Sequence, residues 1–426
     1  MPSLTGDPTA EVLRRLHDDL RGLEGGEKST SIPSLANADE TLFGLALCSP
    51  DGYVSSAGDS EVEFGIQSIS KAFTYALALS DRGRDTVHEH VGAEPSGEAF
   101  SAISLEAETG RPDNPLINAG AIVTCALVKG AGARERSARI HALMEACAGR
   151  ELSFDETIYE EEQEASDRNR ALAHFMRSAG SLTDDVDDTI EVYLRQCSVL
   201  VTTVDLATMA ATLACGGVNP VTGDRVMSGE IARHVMTMMA TCGMYDYSGE
   251  WMLRVGTPAK SGVSGGLITA SPGQFGLGVV SPRLDHRGNS VRAVAACEQL
   301  AERFDLHALA LPAGSLPVVR EHEETWLEVA AGVVTVQGDL VFASMQGVLR
   351  AIEEVLDEGE TILVLDLDRV TRIHTVAQQI LQSVIDHLLE RDRRVVIVDG
   401  AGRNAVTATA HVVSLAEARE WCDEQS

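Results

Sequence analysis

The order of apolar and polar positions predicts a mixture of helices and strands from the start of the chain. Apolar residues at helical spacing over 10–24 predict an amphipathic helix. Two β-like stretches, 42–48 and 53–56, flank Ser49-Pro50-Asp51-Gly52, whose proline and glycine are typical of a turn. These two stretches therefore predict a β-hairpin.

Helical patterns dominate the middle of the chain. The run 67–79 is predicted to be a helix with Ser68 at its start. Further helices are expected at 133–148, 168–179, 186–197, 203–215 and 228–241. After residue 260 the pattern predicts strands at 275–281 and 290–296 and a helix over 297–304. Strands at both ends with helices between them predict one α+β domain over 1–307.

A second unit follows a segment that is rich in helix breakers. Residues 308–323 contain two prolines and a glycine, which predicts a linker. Over 324–426, strand and helix patterns alternate and predict a small α/β domain with a parallel or mixed sheet. Its strands are expected at 329–336, 340–342, 362–367 and 395–398, and its helices at 344–356 and 376–389.

Charge limits the classes of partner. The 426 residues include 34 basic and 64 acidic side chains, a formal net charge of −30. A field of that sign repels phosphate groups, so we expect neither nucleic-acid binding nor docking on an anionic membrane. An apolar run long enough to span a bilayer is not found, and the first residues lack a signal-peptide pattern. The sequence therefore predicts a cytoplasmic protein.

Cysteine and histidine spacing gives no metal-site pattern. The eight cysteines lie at least 18 residues apart, so no CxxC pair occurs. His88-Glu89-His90 places two histidines close together but lacks a nearby third ligand. We expect buried free thiols and no metal.

Lysine is rare, and two of the four lysines lie in motifs with chemical meaning. Ser68 and Lys71 stand three positions apart, so they share a helix face. A desolvated neutral lysine can accept the proton of a serine nucleophile. Lys260-Ser261-Gly262 matches the strand that faces such a serine in serine acyltransferases, and the next residue, Val263, can offer its N–H to an oxyanion.

Two other motifs compete with this interpretation. Gly262-Val263-Ser264-Gly265-Gly266 matches the nucleophile elbow, which requires a helix directly after the serine. Pro272 and Gly273 would end such a helix early. Lys28-Ser29-Thr30 resembles the end of a P-loop, but Glu27 stands where glycine is required, so no nucleotide site is expected.

The region 20–307 resembles the bacterial glutaminase family. The resemblance rests on six collinear blocks: FGIQSISKAFTYALAL from Phe64, NPLINAGAI from Asn114, RNRALA from Arg168, YLRQCS from Tyr193, TCGMY from Thr241 and KSGVSGG from Lys260. It implies a serine β-lactamase/transpeptidase-like domain, with an antiparallel sheet and a helical subdomain. It also implies hydrolysis of L-glutamine to L-glutamate and ammonia, with no cofactor.

The resemblance also implies roles for individual residues. Ser68 would be the nucleophile and Lys71 its base, and Lys71 or Tyr193 would protonate the leaving ammonia. Lys260 would hold a neighbouring hydroxyl and add positive potential. The implied glutamine contacts are Ser68, Asn118, Glu162, Asn169, Tyr193, Tyr245 and Val263.

The second unit resembles the STAS domain. The runs that carry this resemblance are VTVQGDL from Val334, LVLDL from Leu363 and VVIV from Val395. In STAS phosphoswitches an aspartate precedes the serine or threonine, whereas here His374 precedes Thr375. A docking role with a protein partner and an oligomer-forming role are both open, and we expect a homo-oligomer.

Two other functions stay open for the first unit. A penicillin-recognising hydrolase of the same fold is disfavoured by Tyr193-Leu194-Arg195, which stands where that class shows S-x-N. A signalling scaffold with a vestigial site is disfavoured by the intact Ser68, Lys71 and Lys260. The acidic surplus and scarce lysine predict salt tolerance, although a GC-rich genome would also lower the lysine content.

Overall fold

The computed structural model describes residues 7–96, 105–106, 108–304, 306–309, 319–326, 331–340, 342–357, 361–400, 402 and 406–424. The chain divides between Ala310 and Leu311 into two units. The strand Val319–Trp326 begins inside the segment 308–323 that the sequence analysis assigned to a linker, and 310–318 lie outside the described residues.

The first unit combines short strands with many helices. Its described helices are α1 Pro8–Leu20, α2 Pro33–Ala36, α3 Ser70–Arg82, α4 Arg84–His90, α5 Asn118–Leu127, α6 Ala133–Ala148, α7 Glu156–Glu164, α8 Asp167–Ala179, α9 Val186–Cys197, α10 Thr203–Ala214, α11 Gly229–Cys242, α12 Ser248–Arg254 and α13 Val291–Phe304. Its described strands are β1 Glu27–Lys28, β2 Gly44–Cys48, β3 Val54–Gly58, β4 Phe64–Gly65, β5 Leu200–Val201, β6 Ala259–Ser261, β7 Gly266–Ser271, β8 Phe275–Val280 and β9 Arg283–Leu284. Most of the predicted helix bounds are confirmed to within two residues. Helix α1 ends four residues before its predicted end, and α3 begins and ends three residues later than predicted.

A five-stranded antiparallel sheet forms one half of this unit, in the order β3-β2-β8-β7-β6. The predicted β2–β3 hairpin is confirmed. Helix α10 packs on β8 through Gly276 and Gly278. A Cβ atom on Gly276 would lie 2.1 Å from the Ala211 nitrogen, and one on Gly278 would lie 2.4 Å from the Thr203 carbonyl oxygen. Glycine is therefore required for this close approach.

The other half of the unit is helical, and its core is formed mainly by buried side chains of α3, α5, α6, α9, α10 and α11. Helix α10 begins at a capping box in which Thr202 and Asp205 exchange hydrogen bonds. Asp205 also accepts two hydrogen bonds from Arg150, each at 2.6 Å. An antiparallel sheet with a helical subdomain confirms the predicted α+β class. None of the described helices is long and apolar enough to cross a membrane.

One predicted strand is a helix. Residues 290–296 were expected to be a strand, but α13 begins at Val291. The Ser290 hydroxyl accepts the Ala293 N–H at 3.4 Å, as a helix N-cap does. Ala293, Cys297 and Leu300 are buried at helical spacing, so tertiary packing of this face outweighs the β-propensity of the valines. The strand partner of β8 on this side is instead β7, which the sequence analysis missed.

The second unit has a five-stranded sheet in the order β10-β11-β12-β13-β14, in which β10 is antiparallel and the others are parallel. Its elements are β10 Val319–Trp326, β11 Ala331–Leu340, α14 Phe342–Asp357, β12 Ile362–Ile373, α15 Thr375–Leu389, β13 Arg394–Val398, β14 Ala410–Val412 and α16 Leu415–Glu424. The expectation of separate strands at 329–336 and 340–342 is wrong, because β11 runs unbroken to Leu340 and α14 begins at Phe342.

The two units have separate hydrophobic cores, and this predicts that the first folds alone. Its buried clusters contain no residue beyond Ala301, and the remaining clusters lie at Trp326–Cys422. A chain that ends at Ala310 should therefore show one cooperative urea transition by circular dichroism. Its m-value should be smaller than the summed m-values of the full chain, because less surface is exposed on unfolding. A soluble fragment without a cooperative transition would contradict this prediction.

Candidate active site

Ser68 lies in a tight turn that opens α3. The 3₁₀ turn Gln67–Ile69 runs directly into the helix, and the Ser70 hydroxyl donates to the Gln67 carbonyl oxygen at 2.7 Å. Gln67 has φ of +49°, a left-handed conformation that non-glycine residues rarely adopt. Backbone strain of this kind concentrates at functional sites, and here it falls on the residue before Ser68.

Lys71 is buried one turn farther along α3. Its side chain is 1% exposed, and its Nζ donates to the Asn118 Oδ1 at 2.6 Å. Burial disfavours the charged ammonium and lowers the pKa of Lys71 to about 8, although nearby Glu162 raises it in part. The group can therefore be neutral near physiological pH, as a general base must be.

Two asparagines continue the hydrogen-bond chain from Lys71. Asn118 is the first residue of α5, and its Nδ2 donates to the Asn169 Oδ1 on α8 at 3.1 Å. Asn114 fixes the entry to α5, because its Oδ1 accepts the N–H groups of Leu116 and Ile117. A Cβ on Gly120 would lie 1.9 Å from the Asn114 carbonyl oxygen, so this loop requires glycine on the helix.

Tyr193 and Glu162 approach the same lysine from two other helices. Tyr193 on α9 is 4% exposed, and its ring centroid lies 5.8 Å from the Lys71 Nζ. Burial raises the pKa of the Tyr193 hydroxyl well above its usual value. Burial also raises the pKa of Glu162 on α7, while Gln67 and Lys71 act in the opposite direction.

Tyr245 connects the Ser68 turn to strand β6. Its φ is +57°, a second left-handed non-glycine residue at the site. Its hydroxyl donates to the Ser261 carbonyl oxygen at 3.3 Å, and a hydrogen bond with Ser68 lowers its pKa against the larger effect of burial, which raises it. The Lys260 Nζ lies 4.4 Å from the centroid of the Tyr245 ring.

Lys260 is fully buried in β6, and its Nζ donates to the Ser261 carbonyl oxygen at 2.5 Å. Burial, together with repulsion from Lys71, lowers its pKa well below the usual value. The sequence analysis expected Lys260 to hold a neighbouring hydroxyl. In the structure its Nζ instead donates to a carbonyl oxygen, the same one that the Tyr245 hydroxyl contacts.

Val263 lies in the turn between β6 and β7, closed by a hydrogen bond from the Gly265 N–H to the Gly262 carbonyl oxygen at 3.0 Å. A Cβ on Gly262 would lie 3.2 Å from the Ile66 carbonyl oxygen, so this turn packs closely against the segment before Ser68. As the sequence analysis expected, Ser264 is not followed by the helix that a nucleophile elbow requires, because strand β7 begins at Gly266.

Asn289 is a structural residue of the site that the sequence analysis missed. It is fully buried and its Oδ1 accepts the Ser261 hydroxyl at 2.6 Å. Its Nδ2 donates to the carbonyl oxygen of Met244, the residue before Tyr245, at 3.4 Å. One side chain thus ties β6 to the strained turn at Tyr245. In the sequence, Asn289 stands between the two stretches predicted to be strands, 275–281 and 290–296, a position typical of a turn.

The structure thus brings eight of the nine predicted site residues together in two groups. Lys71 interacts with Asn118, Glu162 and Tyr193, and Asn118 with Asn169, whereas Tyr245 interacts with Ser68 and Lys260. The electrostatic effect of Lys71 on Lys260 links the two groups. Val263 is the ninth, and it is placed by the packing of Gly262 on Ile66. Among the described residues no group of histidine, cysteine and carboxylate side chains could hold a metal ion.

Comparison with family models gives two matches. The glutaminase model covers residues 26–309, and the STAS domain model covers residues 317–415. Each of the predicted resemblances is therefore confirmed.

Curated relatives extend over one or both regions. A glutaminase of Clavibacter michiganensis is 54% identical over 284 residues, which are 67% of this chain and 87% of the relative. A glutaminase of Corynebacterium glutamicum is 41% identical over 398 residues, which are 92% of this chain and 94% of the relative.

Solved structures are similar in fold. The crystal structure of Mglu has a TM-score of 0.85 at 44% identity and covers 94% of this chain and all of that chain. Mglu is also known in an L-glutamate-binding form in 4.3 M NaCl, with a TM-score of 0.84 at 40% identity over 94% of this chain and all of that chain. The Bacillus subtilis glutaminase YbgJ, in covalent complex with 5-oxo-L-norleucine, has a TM-score of 0.65 at 32% identity over 70% of this chain and 99% of that chain.

The Asn289 contacts predict energetic coupling to Ser261. Asn289→Ala and Ser261→Ala should each lower the free energy of unfolding by about 1–3 kcal/mol, because each leaves a buried polar partner unpaired. The double variant should lose less than the sum, with a coupling energy of about 0.5–3 kcal/mol. Urea unfolding measures the cycle.

The control cycle pairs Asn289→Ala with Ser181→Ala, whose hydroxyl donates to the Gly110 carbonyl oxygen in the helical half. These two changes should add within about 0.5 kcal/mol. Additivity in the Ser261 cycle as well would remove Asn289 from the role of connecting the two segments.

Proposed function

This chain belongs to the glutaminase family, and from that premise we propose that it hydrolyses L-glutamine through a covalent γ-glutamyl ester on Ser68. The glutamine amidohydrolase activity follows from the family. One observation carries the proposed chemistry. The buried Lys71, with a pKa near 8 and its Nζ bonded to Asn118, stands one helical turn from Ser68.

Acylation would begin at the glutamine side-chain amide. The Ser68 Oγ attacks the amide carbon while its proton passes to the neutral Lys71 Nζ. The negative charge that develops on the amide oxygen is stabilised by the N–H groups of Ser68 and Val263. Collapse breaks the C–N bond, and a proton from Lys71 or Tyr193 allows ammonia to leave. The γ-glutamyl ester remains on Ser68.

Deacylation uses the same groups. Lys71 is neutral again because its proton has left with ammonia, either directly or by way of Tyr193. A water molecule then attacks the ester carbon and gives its proton to Lys71. The C–O bond to Ser68 breaks, the proton returns to the serine oxygen and L-glutamate leaves. The chemistry proposed for these steps requires no metal or organic cofactor.

Recognition of the amino-acid end would come from the polar groups around Lys71. The Glu162 carboxylate can pair with the substrate's α-ammonium group. The amides of Asn118 and Asn169 can bind its α-carboxylate or amine, and the Tyr193 and Tyr245 hydroxyls border the same space. The reported covalent complex of YbgJ, formed with 6-diazo-5-oxo-L-norleucine, supports a nucleophile that attacks at the glutamine side-chain position. We propose that the same reagent alkylates Ser68 here: the serine oxygen forms a bond to the diazo carbon, N2 leaves and the 5-oxo-norleucine group stays attached.

A cytoplasmic location, a homo-oligomer and a protein partner of the STAS domain stay predictions. Thr375 is the exposed first residue of α15. It stands where STAS phosphoswitches have a serine or threonine after an aspartate, but here His374 precedes it. The acidic surplus supports a further proposal of salt tolerance.

Serine substitutions test the nucleophile. Ser68→Ala should lower kcat for ammonia release by about 10⁴-fold or more, as loss of a nucleophile does. Ser264→Ala should retain at least roughly a tenth of the activity, because its hydroxyl has no hydrogen-bond partner in the described part of the chain. Circular dichroism checks the fold of each variant. The reverse outcome would make Ser264 the nucleophile.

The pKa of Lys71 predicts the pH dependence. Burial lowers this pKa to about 8, and the base must be neutral, so it is inactive below that pH and active above it. Below pH 8, kcat/KM should rise about tenfold per pH unit and then level off.

Lys71→Met should abolish acylation, because the base is removed. Normal acylation in that variant, measured by mass spectrometry, would show that another group is the base.

Net charge predicts the response to salt. The Debye length falls from about 10 Å at 0.1 M salt to about 3 Å at 1 M, so NaCl should screen the self-repulsion of a chain with net charge −30. The melting temperature should rise between about 0.1 and 2 M NaCl, and ammonia release should persist. A falling melting temperature would exclude salt tolerance, and a flat one would favour codon usage as the cause of the scarce lysine.

A further inference from the structure

A buried side-chain hydrogen bond joins the two helices that carry Lys71 and Tyr193. The Thr74 hydroxyl on α3 donates to the Gln196 Oε1 on α9. Thr74 is fully buried, and Gln196 is 3% exposed. Neither residue belongs to the nine that were assigned to the glutamine site, so the chemistry described above does not use this contact.

The Thr74–Gln196 pair stands at the same offset from the reacting groups on both helices. Thr74 follows Lys71 by three positions and Gln196 follows Tyr193 by three, so each shares a helix face with the group that it follows. The Lys71 Nζ lies 5.8 Å from the centroid of the Tyr193 ring. The two contacts are therefore neighbours in one interface between α3 and α9.

The other contributions of these helices to the interior are apolar and less specific. Both helices supply buried side chains to one hydrophobic core, with Phe73 from α3 and Leu194 from α9 among them. Burial of apolar surface is non-directional, so it holds helices together without selecting one register. A hydrogen bond has a defined distance and angle, so the Thr74–Gln196 pair can select the register.

The amide of Gln196 is only half satisfied. Its Oε1 accepts from Thr74, whereas its buried Nε2 forms no hydrogen bond to any of the described residues. A buried donor without a partner is destabilising, and two apolar side chains of similar shape would avoid that effect. Stability alone therefore does not account for a glutamine at this position.

We propose that Thr74 and Gln196 are positioning residues for proton transfer at Ser68. Their hydrogen bond sets α3 against α9 so that the Lys71 Nζ reaches the Ser68 Oγ while Tyr193 stays beside the lysine. Neither residue touches the substrate. This role rests on the proposed Ser68–Lys71 mechanism and adds to it the contact that keeps the base in place.

Near-isosteric variants of the full-length protein test the pair. Thr74→Val, Gln196→Met and the double variant should each lower kcat for ammonia release by at least about tenfold, because small displacements of a catalytic group are costly. KM should stay within about twofold, since glutamine binding does not involve the pair. The double variant should be no slower than the slower single variant, because all three changes remove the same bond.

Stability measurements separate positioning from a structural role. The double variant leaves neither partner buried and unpaired, so its urea midpoint should equal or exceed that of the wild-type protein. A role in stability alone predicts the opposite, a lower midpoint with an unchanged kcat.

Two further threonine variants serve as controls. Thr74→Ser keeps the hydroxyl and should restore most of the kcat that Thr74→Val loses. Thr189 on α9 is also fully buried, but its hydroxyl donates to the Asp185 carbonyl oxygen at the start of the same helix, at 2.6 Å. Thr189→Val should therefore leave kcat unchanged.

The outcomes distinguish this proposal from the mechanism on which it rests. A double variant with wild-type kcat, a double variant with a lower urea midpoint, or equal losses of kcat in Thr189→Val and Thr74→Val would each overturn the positioning role. Failure of the Ser68 mechanism would be visible in the wild-type protein itself, because peptide mass mapping would then find no 6-diazo-5-oxo-L-norleucine adduct on Ser68.

Discussion

The burial of Lys71 is the constraint on which the active site depends. A lysine that is 1% exposed cannot stay fully charged without cost, and no ion pair of its Nζ with a carboxylate occurs among the described contacts. The protein lets the pKa fall to about 8 and gives the Nζ one neutral acceptor, the Asn118 Oδ1. The first residue of α5 must therefore be placed accurately, which explains the buried Asn114 and the glycine at position 120.

Strand β6 closes the site from the opposite end of the sequence, through three close backbone approaches. A Cβ on Gly243 would lie 1.7 Å from the Ala259 carbonyl oxygen, and the Ser261 N–H donates to the Gly243 carbonyl oxygen at 3.4 Å. A Cβ on Gly262 would likewise lie close to the Ile66 carbonyl oxygen, at 3.2 Å. The Asn289 side chain adds hydrogen bonds to Ser261 and Met244, beside the backbone hydrogen bond between Ser261 and Gly243. The strain at Gln67 and Tyr245 is maintained because the surrounding contacts leave these residues no alternative conformation.

The sequence predicted those features that are local or chemically rare. Ser68 and Lys71 share one helix face by spacing alone, and Lys260 was noticeable because the chain has only four lysines. Asn289 could not be found in this way, since an asparagine before serine in a turn is typical of any loop. The left-handed backbone at Gln67 is also invisible, because nothing in its side chain favours positive φ. The helix Val291–Phe304 was predicted only from residue 297 onward. Its first residues have β-propensity and were predicted as a strand, whereas burial of Ala293, Cys297 and Leu300 decides the outcome.

The two buried lysines differ in their surroundings. Complete burial lowers the pKa of Lys260, and repulsion from Lys71 lowers it further. The Lys260 Nζ and the Tyr245 hydroxyl both donate to the Ser261 carbonyl oxygen. Burial lowers the pKa of Lys71 to about 8, and Cys197 and Glu162 offset part of that effect. Burial therefore lowers the pKa of both lysines, and of the two it is Lys71 that lies close enough to the Glu162 carboxylate for part of this effect to be offset.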